Sequence, residues 1–97
     1  MPRTLEADIL VPTLKGLALH GCMDTPARLA YLQGVMTLSA DDNVILEDRN
    51  DTRFSQIVRN QVSHRADVGN IVADGYATYD PALGLCITAK GRALIRR

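Results

Sequence analysis

Apolar positions recur at helical spacing through much of the chain. In Ile9-Leu10-Val11-Pro12-Thr13-Leu14-Lys15-Gly16-Leu17-Ala18-Leu19, residues Leu10, Leu14 and Leu17 fall on one helical face, and Gly21 is placed to end the helix. Pro12 has no N–H to give, so it either opens this helix or kinks it. Asp24-Thr25-Pro26 reads as the next start, with Thr25 capping and Pro26 in the first turn. Leu29 and Leu32 then face the core and Gly34 is the stop. Ser39 and Asp42 resemble a capping pair for a short helix through Val44, Ile45 and Leu46.

The strongest pattern follows the cap expected at Asn50-Asp51. Phe54, Ile57, Val58, Gln61 and Val62 stand at i, i+3, i+4, i+7 and i+8, an apolar stripe with Gln61 as its one polar intruder. Thr52, Gln56, Arg59, Asn60 and Ser63 form the opposite stripe, flanked by Arg53, His64 and Arg65. A second apolar helical fragment is expected from Val68 to Asp74, ending at Gly75. The period then becomes alternating. Tyr76–Tyr79 and Leu83–Ile87 read as strands, and Asp80-Pro81 with Gly84 supplies the turn of a hairpin. Thr88 caps a last helix, Ala89 to Arg96, with Leu94 and Ile95 inward.

Several helices, a two-stranded hairpin and a final helix make a mainly α chain with a small β-hairpin, an α+β class. That order describes a winged helix-turn-helix. Ninety-seven residues allow one domain, residues 1–97. Apolar residues are 46% of the chain but aromatics only 4%, so aliphatic side chains must fill the core. Eleven basic and eleven acidic residues give zero formal charge, which excludes coating nucleic acid by bulk positive charge. A local basic face is compatible with that balance.

Three segments carry a resemblance: Ile9–Leu17, Arg53-Phe54-Ser55-Gln56-Ile57-Val58-Arg59-Asn60, and the ending Asp74-Gly75-Tyr76 with Gly84-Leu85-Cys86-Ile87-Thr88-Ala89-Lys90-Gly91-Arg92-Ala93-Leu94-Ile95. Together they resemble the winged-helix domain at the N-terminus of Mrr-type restriction enzymes and of other bacterial defence proteins. The likeness is one of pattern over nearly the whole chain. It departs from the family in lacking the Trp usual in the third helix, and no catalytic domain is expected after Arg97. The resemblance implies a winged-helix fold and double-stranded DNA as partner.

A helix that reads the major groove needs long or amide side chains on one face, because base edges are recognised by hydrogen bonds. Arg59 suits guanine, Gln56 and Asn60 suit adenine, and Thr52, Arg53 and Ser63 suit phosphates. His64 and Arg65, at the helix end, complete the candidate set; His64 suits a phosphate contact or simple exposure. Charge is polarised in the same sense. Arg49 to Arg65 holds four Arg and one Asp, and Thr88 to Arg97 holds four basic residues and no acid, whereas Met23 to Asp48 holds five acids and only Arg28. The hairpin tip, Tyr79-Asp80-Pro81-Ala82, is a weaker candidate, since Asp80 is a poor phosphate ligand. The same polar stripe from Thr52 to Ser63 also fits an ordinary solvated helix face.

Enzyme readings do poorly. His20-x-Cys22 has no second ligand pair at zinc spacing, no Walker-type loop occurs, and Lys90 lacks the acids of a nuclease signature. No catalysis, metal or cofactor is expected. Cys22 and Cys86 read as two lone, small apolar residues and not as a disulfide framework. With no membrane-length apolar run and no secretion signal, they point to the reducing cytoplasm. The expected protein is therefore a regulator, or the targeting subunit of a DNA-processing or restriction-like system with a separately encoded partner. A homodimer is expected, with Ile9–Leu19 or Ala89–Arg96 as its seam. The alternative is a winged-helix protein-interaction or dimerisation module, which the zero net charge and acidic middle favour.

Overall fold

The computed structural model describes residues 5–36 and 52–96. A 3-10 turn over Glu6–Ile9 runs directly into helix α1, Leu10–His20. Pro12 lies in the first turn of α1, where a backbone N–H would have no helical partner, so it opens the helix. Ile9, Thr13, Leu14 and Leu17 are fully buried. After α1 the chain extends as strand β1, Cys22–Met23, and enters helix α2, Thr25–Val35. The cap of α2 is Asp24, one residue before the expected Thr25: its carboxylate accepts from Ala27 N at 2.9 Å. Gly34 does not stop the helix, which continues to Val35. The short helix expected through Val44–Leu46 and the Asn50-Asp51 cap lie outside the described residues.

Helix α3 spans Arg53–Ser63. Its cap is Thr52, whose Oγ1 accepts from Ser55 N at 3.1 Å while Thr52 N donates to Ser55 Oγ at 3.2 Å. The expected helix from Val68 to Asp74 is replaced by successive turns. Two residues explain this. Gly69 adopts φ +89°, outside the helical region, and Asn70 Oδ1 accepts from Val72 N at 2.7 Å, an Asx-type bond that competes with a helix. Val68 is wholly exposed as a result, whereas Ile71 reaches the core.

Strands β2, Ala77–Asp80, and β3, Gly84–Ile87, form the expected hairpin, and helix α4, Ala89–Ile95, follows. Asp80 builds the hairpin turn, its Oδ1 accepting from Ala82 N at 2.7 Å and Leu83 N at 3.1 Å. Thr88 caps α4 by accepting from Gly91 N at 3.1 Å. Where the sequence suggested two strands, the sheet has three, antiparallel in the order β1-β3-β2. β1 pairs with β3 through Cys22↔Cys86 and Met23↔Leu85, and β2 pairs with β3 from Ala77↔Ile87 to Asp80↔Gly84. The extra strand comes close because of Gly84. Its φ is +88°, and a Cβ there would collide with Met23 O and Asp24 Cα.

That pairing overturns the expectation of two unpaired cysteines. Cys22 and Cys86 form a disulfide, with their Cα atoms 4.0 Å apart across the β1–β3 ladder. The physical reason is register: both are side chains of one directly opposed antiparallel pair. The cysteine-based argument for a reducing compartment falls with it.

Two clusters make the core of the described residues. Leu14, Leu17, Met23, Ile71, Ala77 and Leu85 join α1 to the sheet, with Leu94 and Ile95 of α4 packed alongside. Ile9, Leu32, Phe54 and Val58 join the N-terminal turn to α2 and α3. Tyr31 packs against both. The described residues are thus mainly helical with a small antiparallel sheet, the α+β class. No helix among them is long and apolar enough to cross a membrane.

Candidate nucleic-acid interface

Helix α3 is held by its inner face. Phe54 and Val58 are fully buried, and so in effect is Gln61. The polar intruder of the apolar stripe turns out to organise the interior. Gln61 Oε1 accepts from Arg28 Nε at 3.0 Å, and Gln61 Nε2 donates to Thr13 Oγ1 at 2.9 Å. Arg28 is itself fully buried. It donates from Nη1 to Met23 O at 3.0 Å and from Nη2 to Thr25 Oγ1 at 3.1 Å. One guanidinium thus links α2, α3 and β1, and through Gln61 it also reaches α1. Burial lowers the Arg28 pKa well below its ordinary value, to about 10, against an opposing upward pull from Asp24. Along the chain the only trace of this network is one amide at an apolar position.

With the inner face fixed, the candidate residues fall into place along α3. Arg59 and Ser63 are exposed, and Arg53, Gln56 and Asn60 are half-buried. Gln56 Nε2 donates to Asn60 Oδ1 at 2.9 Å, one turn apart. The bond orders both amides on the face that also carries Arg59. It uses one lone pair of the Asn60 oxygen, which has two, and none of the Asn60 amide hydrogens. Thr52, at the N-terminal end, uses its oxygen as a cap acceptor, and a hydroxyl in that role can still donate.

The other two candidates, at the C-terminal end, are placed differently. Arg65 donates to Val62 O at 2.8 Å, satisfying one of the last carbonyls of α3, and its guanidinium lies 4.8 Å above the ring centre of Tyr79 on β2. It therefore joins the recognition candidate to the hairpin, a link with no signature in the sequence. His64 turns the other way. Its Nδ1 lies 3.1 Å from Glu6 Oε2, and Asn70 Nδ2 donates to Glu6 Oε1 at 3.1 Å. Beside them opens a hollow of about 320 Å³ lined in part by Glu6, His64, Asp67 and Asn70. Two carboxylates there disfavour a phosphate. The geometry therefore brings Thr52, Arg53, Gln56, Arg59, Asn60 and Ser63 onto one helix, adds Arg65 with Tyr79 at its end, and sets His64 apart.

Of the basic C-terminal residues, Lys90 is tied back. Its Nζ donates to Asp74 O at 2.7 Å and lies 4.9 Å from the Tyr76 ring centre. Among the described residues no group of three or more His, Cys, Asp or Glu is arranged to hold a metal ion. No protein-family model matches the chain, and neither the curated proteins nor the solved structures provide a match.

Proposed function

We propose that the protein is a non-catalytic winged-helix protein that binds double-stranded DNA, with α3 as the helix that enters the major groove and β2–β3 as the wing. The observation that carries this reading is the outer face of α3. There Arg59 stands with a hydrogen-bonded Gln56–Asn60 pair, on a helix whose opposite face is locked into the core. The element order supports it. Among the described residues, a helix, a short strand, two helices, a hairpin and a closing helix, with β1 added to the edge of β3, form an order that a winged helix-turn-helix would have. On this reading it is a cytoplasmic regulator, or the targeting subunit for a separately encoded DNA-processing enzyme.

The test is fluorescence anisotropy with mixed-sequence duplex DNA at several salt concentrations. If Arg53 and Arg65 each meet a phosphate while Arg59 reads a base edge, log K should fall against log salt with a slope of about −2. Arg59→Ala should weaken binding about tenfold while leaving that slope nearly unchanged. No salt-sensitive binding at micromolar protein, or indifference to Arg59→Ala, would refute the reading.

A second reading, a protein-interaction or dimerisation module, is favoured by α1. Val11 is 41% exposed and Leu19 73% exposed, two turns apart on its outer side. A homodimer with this seam should appear in light scattering after size exclusion and be lost in Leu19→Glu; a monomer at high concentration would exclude it.

A further inference from the structure

We infer that Cys22 and Cys86 form a thiol–disulfide exchange site, open to a dithiol while the domain stays folded, whose state sets how firmly the β2–β3 hairpin is held. The first support is redundancy. The two cysteines face each other in the β1–β3 ladder, and the neighbouring Ile87 N donates to Gly21 O at 3.0 Å. On the other side Met23 and Leu85 are buried opposite each other, and Met23 O is held by the Arg28 guanidinium. The backbone and core therefore keep β1 against β3 without the sulfurs. After reduction the two thiols stay within reach of each other, and the bond can re-form without a search through unfolded states.

Access is the second support. Both cysteines are only half-buried, so an attacking thiolate can approach a sulfur. The third is leverage. β1 has two residues, so the backbone and core place this edge against β3 while the disulfide adds a stiffness that so short a ladder lacks. Cys86 pairs in turn with Thr78 on β2, next to Tyr79, where Arg65 of the α3 end rests. Loosening the β1–β3 edge is thereby felt in the hairpin.

The chemistry is ordinary two-electron exchange. A thiolate of the dithiol attacks one cysteine sulfur, the cysteine–cysteine bond breaks, and the departing cysteine thiolate takes up a proton. The dithiol's second thiolate then attacks its own sulfur in the mixed disulfide. That step releases the second cysteine, which is also protonated, and leaves the reductant as a cyclic disulfide. Two electrons have passed from the dithiol to the cysteine pair.

The test uses the full chain and dithiothreitol. The protein is equilibrated over a range of reduced-to-oxidised dithiothreitol ratios without denaturant, then alkylated and weighed, with circular dichroism and amide hydrogen exchange recorded alongside. The expected result is a reversible two-electron transition with helical signal retained. Exchange across Ala77–Ile87 should rise about tenfold or more on reduction, with the centres of α1 and α3 unchanged. The Cys22→Ser/Cys86→Ser variant should show the reduced pattern at every ratio. Loss of the helical signal on reduction, alkylation only in denaturant, an unchanged hairpin or a double variant that fails to fold would each overturn the proposal and leave a purely structural bond. None of these readouts involves nucleic acid, so the outcome is separate from that of the DNA-binding test.

Discussion

Removing the Gln61 side-chain amide alone should harm the protein more than removing it together with the Arg28 charge that it serves. In Gln61→Leu, the Nε–H of a fully buried, charged Arg28 loses its acceptor and Thr13 Oγ1 loses its donor. An unmatched buried donor on a charged group costs about 3 kcal/mol, because its desolvation is no longer compensated. Arg28→Met acts differently. The fall of the Arg28 pKa to about 10 means that burial disfavours the cation by about 3 kcal/mol, and this substitution relieves that penalty while leaving Gln61 Oε1 and Met23 O without donors. The two terms nearly offset. In Arg28→Met/Gln61→Leu, the charge and the amide that served it are both gone.

Urea denaturation followed by circular dichroism decides the matter. Gln61→Leu alone should lose about 3 kcal/mol, and adding Arg28→Met should recover about 2 kcal/mol of it. A pH signature accompanies this. The folded pKa lies below the unfolded one, so from about pH 10 upward to the ordinary guanidinium range the unfolded chain holds more protons at this group. The contribution of Arg28 to stability therefore rises with pH across that window and is absent in Arg28→Met. If Gln61→Leu is within about 0.5 kcal/mol of the parent, or the two changes simply add, the coupled network does not exist as described.

Other substitutions probe the remaining joints. Gly84→Ala puts a Cβ at φ +88° into Met23 O and Asp24 Cα, and thermal melts should show a loss of about 3 kcal/mol; a melting point within a degree of the parent would mean that β1 does not pack there. Thr52→Ala removes the α3 cap and should cost about 1 kcal/mol in urea, with Thr52→Ser restoring most of it. Ile71→Ala should cost about 3 kcal/mol and Val68→Asp less than about 0.5, a contrast that reverses or vanishes if residues 68–74 form a helix with Val68 inward. Arg65→Ala should cost no more than about 1 kcal/mol yet shift the NMR ring signals of Tyr79; unshifted signals would mean that the two do not touch.

The parts of the fold legible in the sequence are those specified locally. The spacing of Phe54, Val58 and Val62 announces α3, Asp80 and Gly84 announce the hairpin, and Thr88 announces α4, because each signal lies within one element. What was not legible depends on distant partners. β1 is too short to show alternation and exists because Gly84 admits it. The disulfide joins residues 64 positions apart that only the sheet register brings together. Arg28, on a helix whose polar and apolar residues are weakly segregated, looks like a surface cation until Gln61 and Met23 O arrive from elsewhere. Val68, Ile71 and Val72 have helical spacing, yet Gly69 and Asn70 between them impose turns. For the candidate interface, the sequence reading grouped the α3 residues together but could not separate Arg65, which meets the hairpin, from His64, which meets Glu6.

The Cys22–Cys86 bond also makes the protein a closed covalent ring with two tails, α1 on one and α4 on the other, while α2, α3 and β2 lie within the loop. A protease that nicks the chain once between those cysteines does not divide the molecule. It yields two peptides that travel together, heavier than the intact chain by a single water, until the ring is opened from the sulfur side. Backbone cleavage in that span is therefore silent to size under oxidising conditions and becomes visible only when the thiols are released.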